Sequence, residues 1–157
     1  MTPGRDDAGA CCEDGKHGTL PGARQVTPAP ETSPDVVELR VPAISSFIST
    51  VRLTAASLGA QCELTVDDIE DLRLVVDEAC SLLLPLADAD GALTVRFELT
   101  PAGLAIQSSI AARDSADVDR SGFAWTVLQA LASDVAVQAA DGRLTVRLVK
   151  RRAVTPA

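Results

Sequence analysis

The 157-residue chain contains a single histidine, His17, in a polar stretch rich in Gly and Pro. Ser–His and Cys–His catalysis therefore have no base to work with. Aromatic residues are almost as scarce, at 3%, so a core has to be built from Val, Leu, Ile and Ala. No run reaches the roughly 18 apolar residues that a membrane-spanning helix needs, and no membrane partner is expected. The opening residues, MTPGRDDAGACCEDG, lack the apolar centre of a signal peptide, which points to a cytoplasmic protein. Cys11, Cys12, Cys62 and Cys80 have no zinc-ligand spacing, so no metal site is expected. They read as incidental thiols in a reducing compartment, with Cys80 a small buried hydrophobe. No phosphate loop or dinucleotide fingerprint follows a strand.

What is present suffices for one domain. Hydrophobic residues make up 46% of the chain, and the net charge is -8. That charge disfavours direct nucleic-acid binding and suits a basic partner protein. Residues 1–34 carry almost no apolar periodicity and are expected to be disordered. The domain is expected over 35–152, with a short tail at 153–157.

VVELRV (36–41) reads as a strand ended by Pro42. Ile44, Phe47, Ile48, Val51 and Leu58 fall mostly at helical spacing, and Gly59 suits a helix stop. Thr65 and Asp68 have the spacing of a capping box. Ile69, Leu72, Val76, Ala79 and Leu83 then form one stripe of a second helix, ended by Pro85. ALTVRFEL (92–99) and GLAIQSSI (103–110) both alternate and read as a hairpin across Thr100-Pro101-Ala102-Gly103. A polar loop (111–121) leads to a third helix over 122–133. A last hairpin turns at Asp141-Gly142, and Lys150-Arg151-Arg152 reads as a solvated basic tail. The order strand, helix, helix, hairpin, helix, hairpin predicts an α+β fold: a two-layer sandwich with a mainly antiparallel sheet and three helices on one face.

The second helix concentrates the acids. Seven carboxylates lie between Glu63 and Glu78, against one base, Arg73. Those in the first turn favour the helix dipole and need no function. Glu78, in the middle of the helix, is the candidate for chemistry.

EDLRLVVDEACS (70–81) resembles the N-box helix of the RsbW-like anti-sigma factors and serine-protein kinases, in the GHKL (Bergerat-fold) ATPase superfamily. The family pattern runs approximately D-L-x-L-A-V-x-E-A-x-x-N, with a His-Ala pair beyond it. The resemblance extends over 36–152 and implies the Bergerat, histidine-kinase-ATPase-like fold. In active members the glutamate is the general base for a seryl hydroxyl, and the asparagine four residues on, along the same helix face, binds magnesium. Here Glu78 matches the glutamate, Leu82 stands at the asparagine position and Leu86 at the histidine position. Leucine offers magnesium no lone pair. The family's D-x-G-x-G motif corresponds to Asp114-Ser115-Ala116-Asp117-Val118, which keeps the acid and lacks both glycines. Its G-L-G-L motif corresponds to Gly122-Phe123-Ala124-Trp125, which keeps one glycine. The family's longer ATP lid has little room here, since Asp114 and Gly122 are only eight positions apart.

The resemblance thus implies Glu78 as catalytic base only where kinase activity is retained, and Asp114 and Gly122 as remnants of a nucleotide site. ATP and magnesium are the family's cofactors; none is expected here, and the leucines predict a filled, dry pocket. On the first helix, Arg52 in FISTVRLTAA matches an arginine that in nucleotide-binding relatives contacts both the sigma factor and its antagonist. The expected function is an anti-sigma factor that sequesters an alternative sigma factor and is relieved by an anti-anti-sigma STAS-domain protein, without ATP turnover. The alternatives are an ATP-dependent serine-protein kinase acting on that antagonist, and a regulatory domain whose partner is not a sigma factor. Relatives of this family often form homodimers.

Overall fold

A computed structural model describes residues 34–153. The expected disordered stretch up to residue 34, with Cys11, Cys12 and His17, lies outside the described residues except for Pro34, as does the tail beyond 153. Strand β1 (Asp35–Pro42) leads through one 3-10 turn into helix α1 (Ile48–Gln61) and then helix α2 (Val66–Leu83). A second 3-10 turn precedes strands β2 (Ala92–Thr100) and β3 (Gly103–Ala111), helix α3 (Phe123–Leu131) and strands β4 (Asp134–Ala140) and β5 (Arg143–Arg151). The five strands form one sheet in the order β1-β2-β3-β5-β4. Every pairing is antiparallel. The α+β sandwich expected from the alternation is therefore the observed fold. No described helix is long and apolar enough to cross a membrane.

The core lies between the sheet and the helices. Leu93, Val95 and Phe97 of β2 meet Leu104, Ile106 and Ile110 of β3 and Leu144, Val146 and Leu148 of β5, all essentially inaccessible to water. Helix α2 covers them with Leu72, Val75, Val76, Ala79, Cys80 and Leu83. The predicted stripe holds, except that Ile69 is half-buried. Thr65 caps the helix as expected: its hydroxyl oxygen accepts from the Asp68 backbone N–H at 3.1 Å, and the hydroxyl donates to Asp68 Oδ2 at 2.7 Å. Burial pushes the Cys80 thiol up to about 12, with the Asp77 charge adding to it. Such a thiol stays protonated and inert at neutral pH.

Several local readings change. Gly59 does not stop α1, which continues to Gln61. A Cβ there would stand 2.9 Å from Leu72 Cδ2, so the glycine serves the close approach of α1 and α2. Ile44 and Phe47 precede α1 and are exposed rather than part of its buried stripe. Helix α3 ends at Leu131, earlier than its apolar run suggests, because Ser133 N–H already bonds to Val149 O on the sheet. Strand β3 buries its apolar face in the core; on its other face, which no helix covers, Ala105 and Ser109 are buried while Gln107 is half-buried and Ala111 exposed.

The largest correction concerns Lys150. It belongs to β5, points under the helices and is only 7% exposed. Its Nζ donates to Asp71 Oδ2 at 2.9 Å and to Leu131 O at 3.1 Å, and lies 3.2 Å from Asp68 Oδ1. One cation thereby ties β5, α2 and the end of α3. The tail reading failed because neighbouring Arg151 and Arg152 are exposed while strand alternation turns Lys150 inward.

The turns follow backbone geometry. Asp141 and Gly142 both have positive φ, 54° and 70°, as a two-residue hairpin turn of the primed type requires. Gly103 has φ +141°, and a Cβ there would lie 2.2 Å from Lys150 O. Gly103→Ala should therefore cost about 3 kcal/mol or more, read as a lowered urea midpoint. Burial alone would lower the Lys150 pKa, but its bonds to Asp71 and Asp68 outweigh this and hold it above 10.5. The stabilisation it provides is complete below 10.5 and disappears as pH rises through the folded value. Lys150→Met should cost about 2 kcal/mol, less than the ~3–5 of a fully buried pair, because its carboxylates keep water contact. The variant should also lose the alkaline limb of the wild-type stability profile, as read by denaturant unfolding across pH.

Candidate functional site

Helix α2 positions the carboxylates, and its packing sorts them. Asp68 and Asp71 turn toward Lys150. The Thr65 hydroxyl, and then Lys150, hold the Asp68 carboxyl below the usual carboxylate range. Glu70 pairs with Arg73 at 3.1 Å across one helical turn. Asp77 reaches the neighbouring helix, where Arg52 Nη1 donates to its Oδ2 at 2.6 Å. The Asp77 Oδ1 atom is buried without a hydrogen-bond partner among the described residues.

The acidic pair of the sequence is therefore split. Asp77 belongs to the junction between α1 and α2. Glu78, half-buried on the adjoining face, makes no side-chain hydrogen bond or ion pair among the described residues. One turn on, Leu82 is half-buried against the core. Trp125 of α3 is also packed against that core, and the Arg120 guanidinium lies 5.3 Å from its ring centroid.

The segment between β3 and α3 is held down by its own bonds. Val118 is 5% exposed and joins the core, with Ala112 and Ala116 packed beside it. Asp114 Oδ1 accepts from Gly142 N–H at 2.9 Å and so braces the β4–β5 turn. Gly122 is the N-cap of α3 in extended conformation, with Asp119 tucked against it. Asp119 accepts from both the backbone N–H and the hydroxyl of Ser121, and these bonds hold its carboxyl below the usual range. Leu86 lines an open depression with Asp88, Ala112, Arg113, Ser115 and Gly142. The structure thus brings Glu78 and Leu82 onto one helix and engages Asp114 with a turn. Among the described residues, no three His, Cys, Asp or Glu side chains converge as a metal ion would require.

Arg52 stands in a second open depression, about 440 Å³, between α1 and α2. Ser49, Leu53, Glu70, Arg73, Leu74 and Asp77 line it too. Leu53 and Leu74 are 64% and 51% exposed, high for leucines on two helices packed against each other. Sequence reading found Arg52 but missed its Asp77 partner and the two leucines. Leu74 does stand outside the apolar stripe of α2, and that departure was the available signal.

No protein-family model matches the chain. The chain is similar to the serine-protein kinase RsbW of Bacillus velezensis, at 39% identity over 69 residues, 42% of this chain and 43% of that relative. It is also similar to the anti-sigma-F factor RsbW of Mycobacterium tuberculosis, at 37% identity over 100 residues, 63% of this chain and 59% of that relative. The matches span about half the length of these relatives. Among solved structures, the RsbU and RsbW domains of a Mycobacterium tuberculosis protein share the fold, with a TM-score of 0.56 at 21% identity, over 77% of this chain and 35% of that one. Over part of its length the chain is thus similar in sequence to proteins named RsbW, and it shares the fold of the solved structure, in agreement with the resemblance carried by residues 70–81.

Proposed function

We propose that the protein is an anti-sigma factor. It binds and sequesters an alternative sigma factor, and an anti-anti-sigma protein of the STAS type relieves it by competing for an overlapping surface. The observation that carries this reading is the groove between α1 and α2. There an arginine matching the family's partner-contacting position lines the groove together with two exposed leucines. Arginine beside desolvatable apolar surface is a common energetic anchor of protein interfaces. The acids of α2 around that groove would complement a basic sigma surface. The names of the relatives, serine-protein kinase and anti-sigma-F factor, support the same role.

The reading extends to partner exchange without ATP turnover. Leu82 supplies no oxygen where magnesium would need one. Val118, at a glycine position of the family's first motif, is buried in the core, and Trp125 packs against that core at the start of α3. The residues therefore do not fit ATP and magnesium, and no step is derived through them. Asp114 and Gly122 serve the turn and the helix start on this account. Glu78 is the one observation favouring the second reading, a serine-protein kinase, because a half-buried carboxylate without a partner remains available as a base. A cytoplasmic location and a homodimeric state fit both readings.

The test is capture of partners from native extract of the source organism on the immobilised chain. Recovery of a sigma factor is expected, and its consistent absence would sink the proposal. Arg52→Glu should weaken the captured complex about tenfold or more. Leu53→Ser, which leaves the Arg52–Asp77 pair intact, should weaken it severalfold. Unchanged affinity in both variants, with unaltered unfolding curves, would remove the groove from the interface.

A further inference from the structure

The helices cover one face of the sheet. On the other face, register and alternation bring together five arginines: Arg40 of β1, Arg96 of β2 and Arg143, Arg147 and Arg151 of β5. Between them runs the central strand β3, which offers only Gly103, Ala105, Gln107, Ser109 and Ala111 on that side. Short residues form a floor and arginines form the two walls. The result is an open depression of about 500 Å³ lined by Glu38, Arg40, Arg96, Gln107, Ser109 and Arg143, among others. Ala105 and Ser109 are only 6% and 8% exposed, although no helix covers this face; the arginine stems shield them.

These cations are weakly compensated. Arg147 lies 3.9 Å from Asp134, and Arg96 lies 4.0 Å from Glu98. Among the described residues, Arg40, Arg143 and Arg151 have no carboxylate within 4.0 Å. Arg143 instead donates to Ser109 Oγ at 2.6 Å, which fixes its guanidinium over the floor. A chain of net charge -8 thus presents a cationic trough on one face.

We propose that this trough is a docking surface for an acidic segment of another protein. Guanidinium groups pair with carboxylates in two-pronged fashion, and side chains held along strands keep that geometry ready. Glu38, Glu98 and Asp134 interrupt the arginines on the same face. Such interleaving repels an unbroken row of phosphates and suits a polypeptide whose carboxylates are spaced. The strong net negative charge also opposes a nucleic acid. A second copy offering its acidic α2 would make a heterologous, head-to-tail contact in place of the two-fold symmetric one commonest among homodimers. The trough lies across the sheet from the groove between α1 and α2, so its occupant does not depend on the sigma-factor reading.

The experiment titrates the isotope-labelled chain with a glutamate-rich peptide, its glutamine counterpart and a short oligothymidylate, following backbone amide shifts. Shifts concentrated in Gly103–Ala111 and at Arg40, Arg96 and Arg143 are expected with the glutamate peptide alone. The combined R40Q, R96Q and R143Q variant should bind that peptide about tenfold or more weakly while keeping the wild-type unfolding midpoint. Absent shifts, or shifts confined to the helices, would overturn the proposal. So would oligothymidylate binding as tight as the peptide's, which marks a nucleic-acid face. Self-association of the free chain that the arginine variant abolishes would overturn it too, marking a contact between copies.

Discussion

The seating of α2 on the sheet is the constraint on which the rest depends. Six of its side chains, from Leu72 to Leu83, are buried in the core. Gly59 lets α1 approach closely, and Lys150 reaches from β5 to the first turns of the helix and to the end of α3. Once this helix is fixed, its carboxylates have little freedom in what they meet. Asp68 and Asp71 face the buried cation, and Asp77 faces Arg52. A cluster of acids that looks like one chemical feature in sequence is thereby divided among structural duties. Glu78 and the exposed first-turn Asp67 are left without a side-chain partner among the described residues.

Much of the fold was legible because it rests on local periodicity. The alternation of β2, the Thr65 cap, the Asp141-Gly142 turn and the stripe of α2 are each set by neighbours a few residues away. What was illegible depends on pairing across the sheet or between helices. Lys150 reads as part of a basic tail until register shows that it faces inward, 79 positions away from its partner Asp71. Gly59 looks like a stop signal until the α1–α2 approach explains it. The burial of Ala105 and Ser109 on the helix-free face of β3 depends on side chains of the neighbouring strands, which alternation within β3 does not encode.

The candidate site was legible in a different way. Glu78 stood out by its place in the middle of the helix; Leu82, Asp114 and Gly122 were found through family resemblance, which raised the nucleotide question. The structure adds what each touches: a Gly142 amide for Asp114, a helix start for Gly122, the core for Leu82. Arg52 was singled out by the same resemblance, and the structure gives it an intramolecular carboxylate and two exposed leucines. A partner offering its own carboxylate to Arg52 would compete with Asp77, which sets a modest threshold for binding. The cationic sheet face had no local signal, because its arginines are scattered from β1 to β5 and only the register assembles them.

On the proposed reading the domain works by presenting surfaces to partners, without ATP turnover. Calorimetric titration of the full chain with ATP and magnesium tests that claim most directly. The account predicts no saturable heat. Micromolar binding, accompanied by transfer of labelled phosphate to a co-expressed antagonist and abolished by Glu78→Gln, would contradict it.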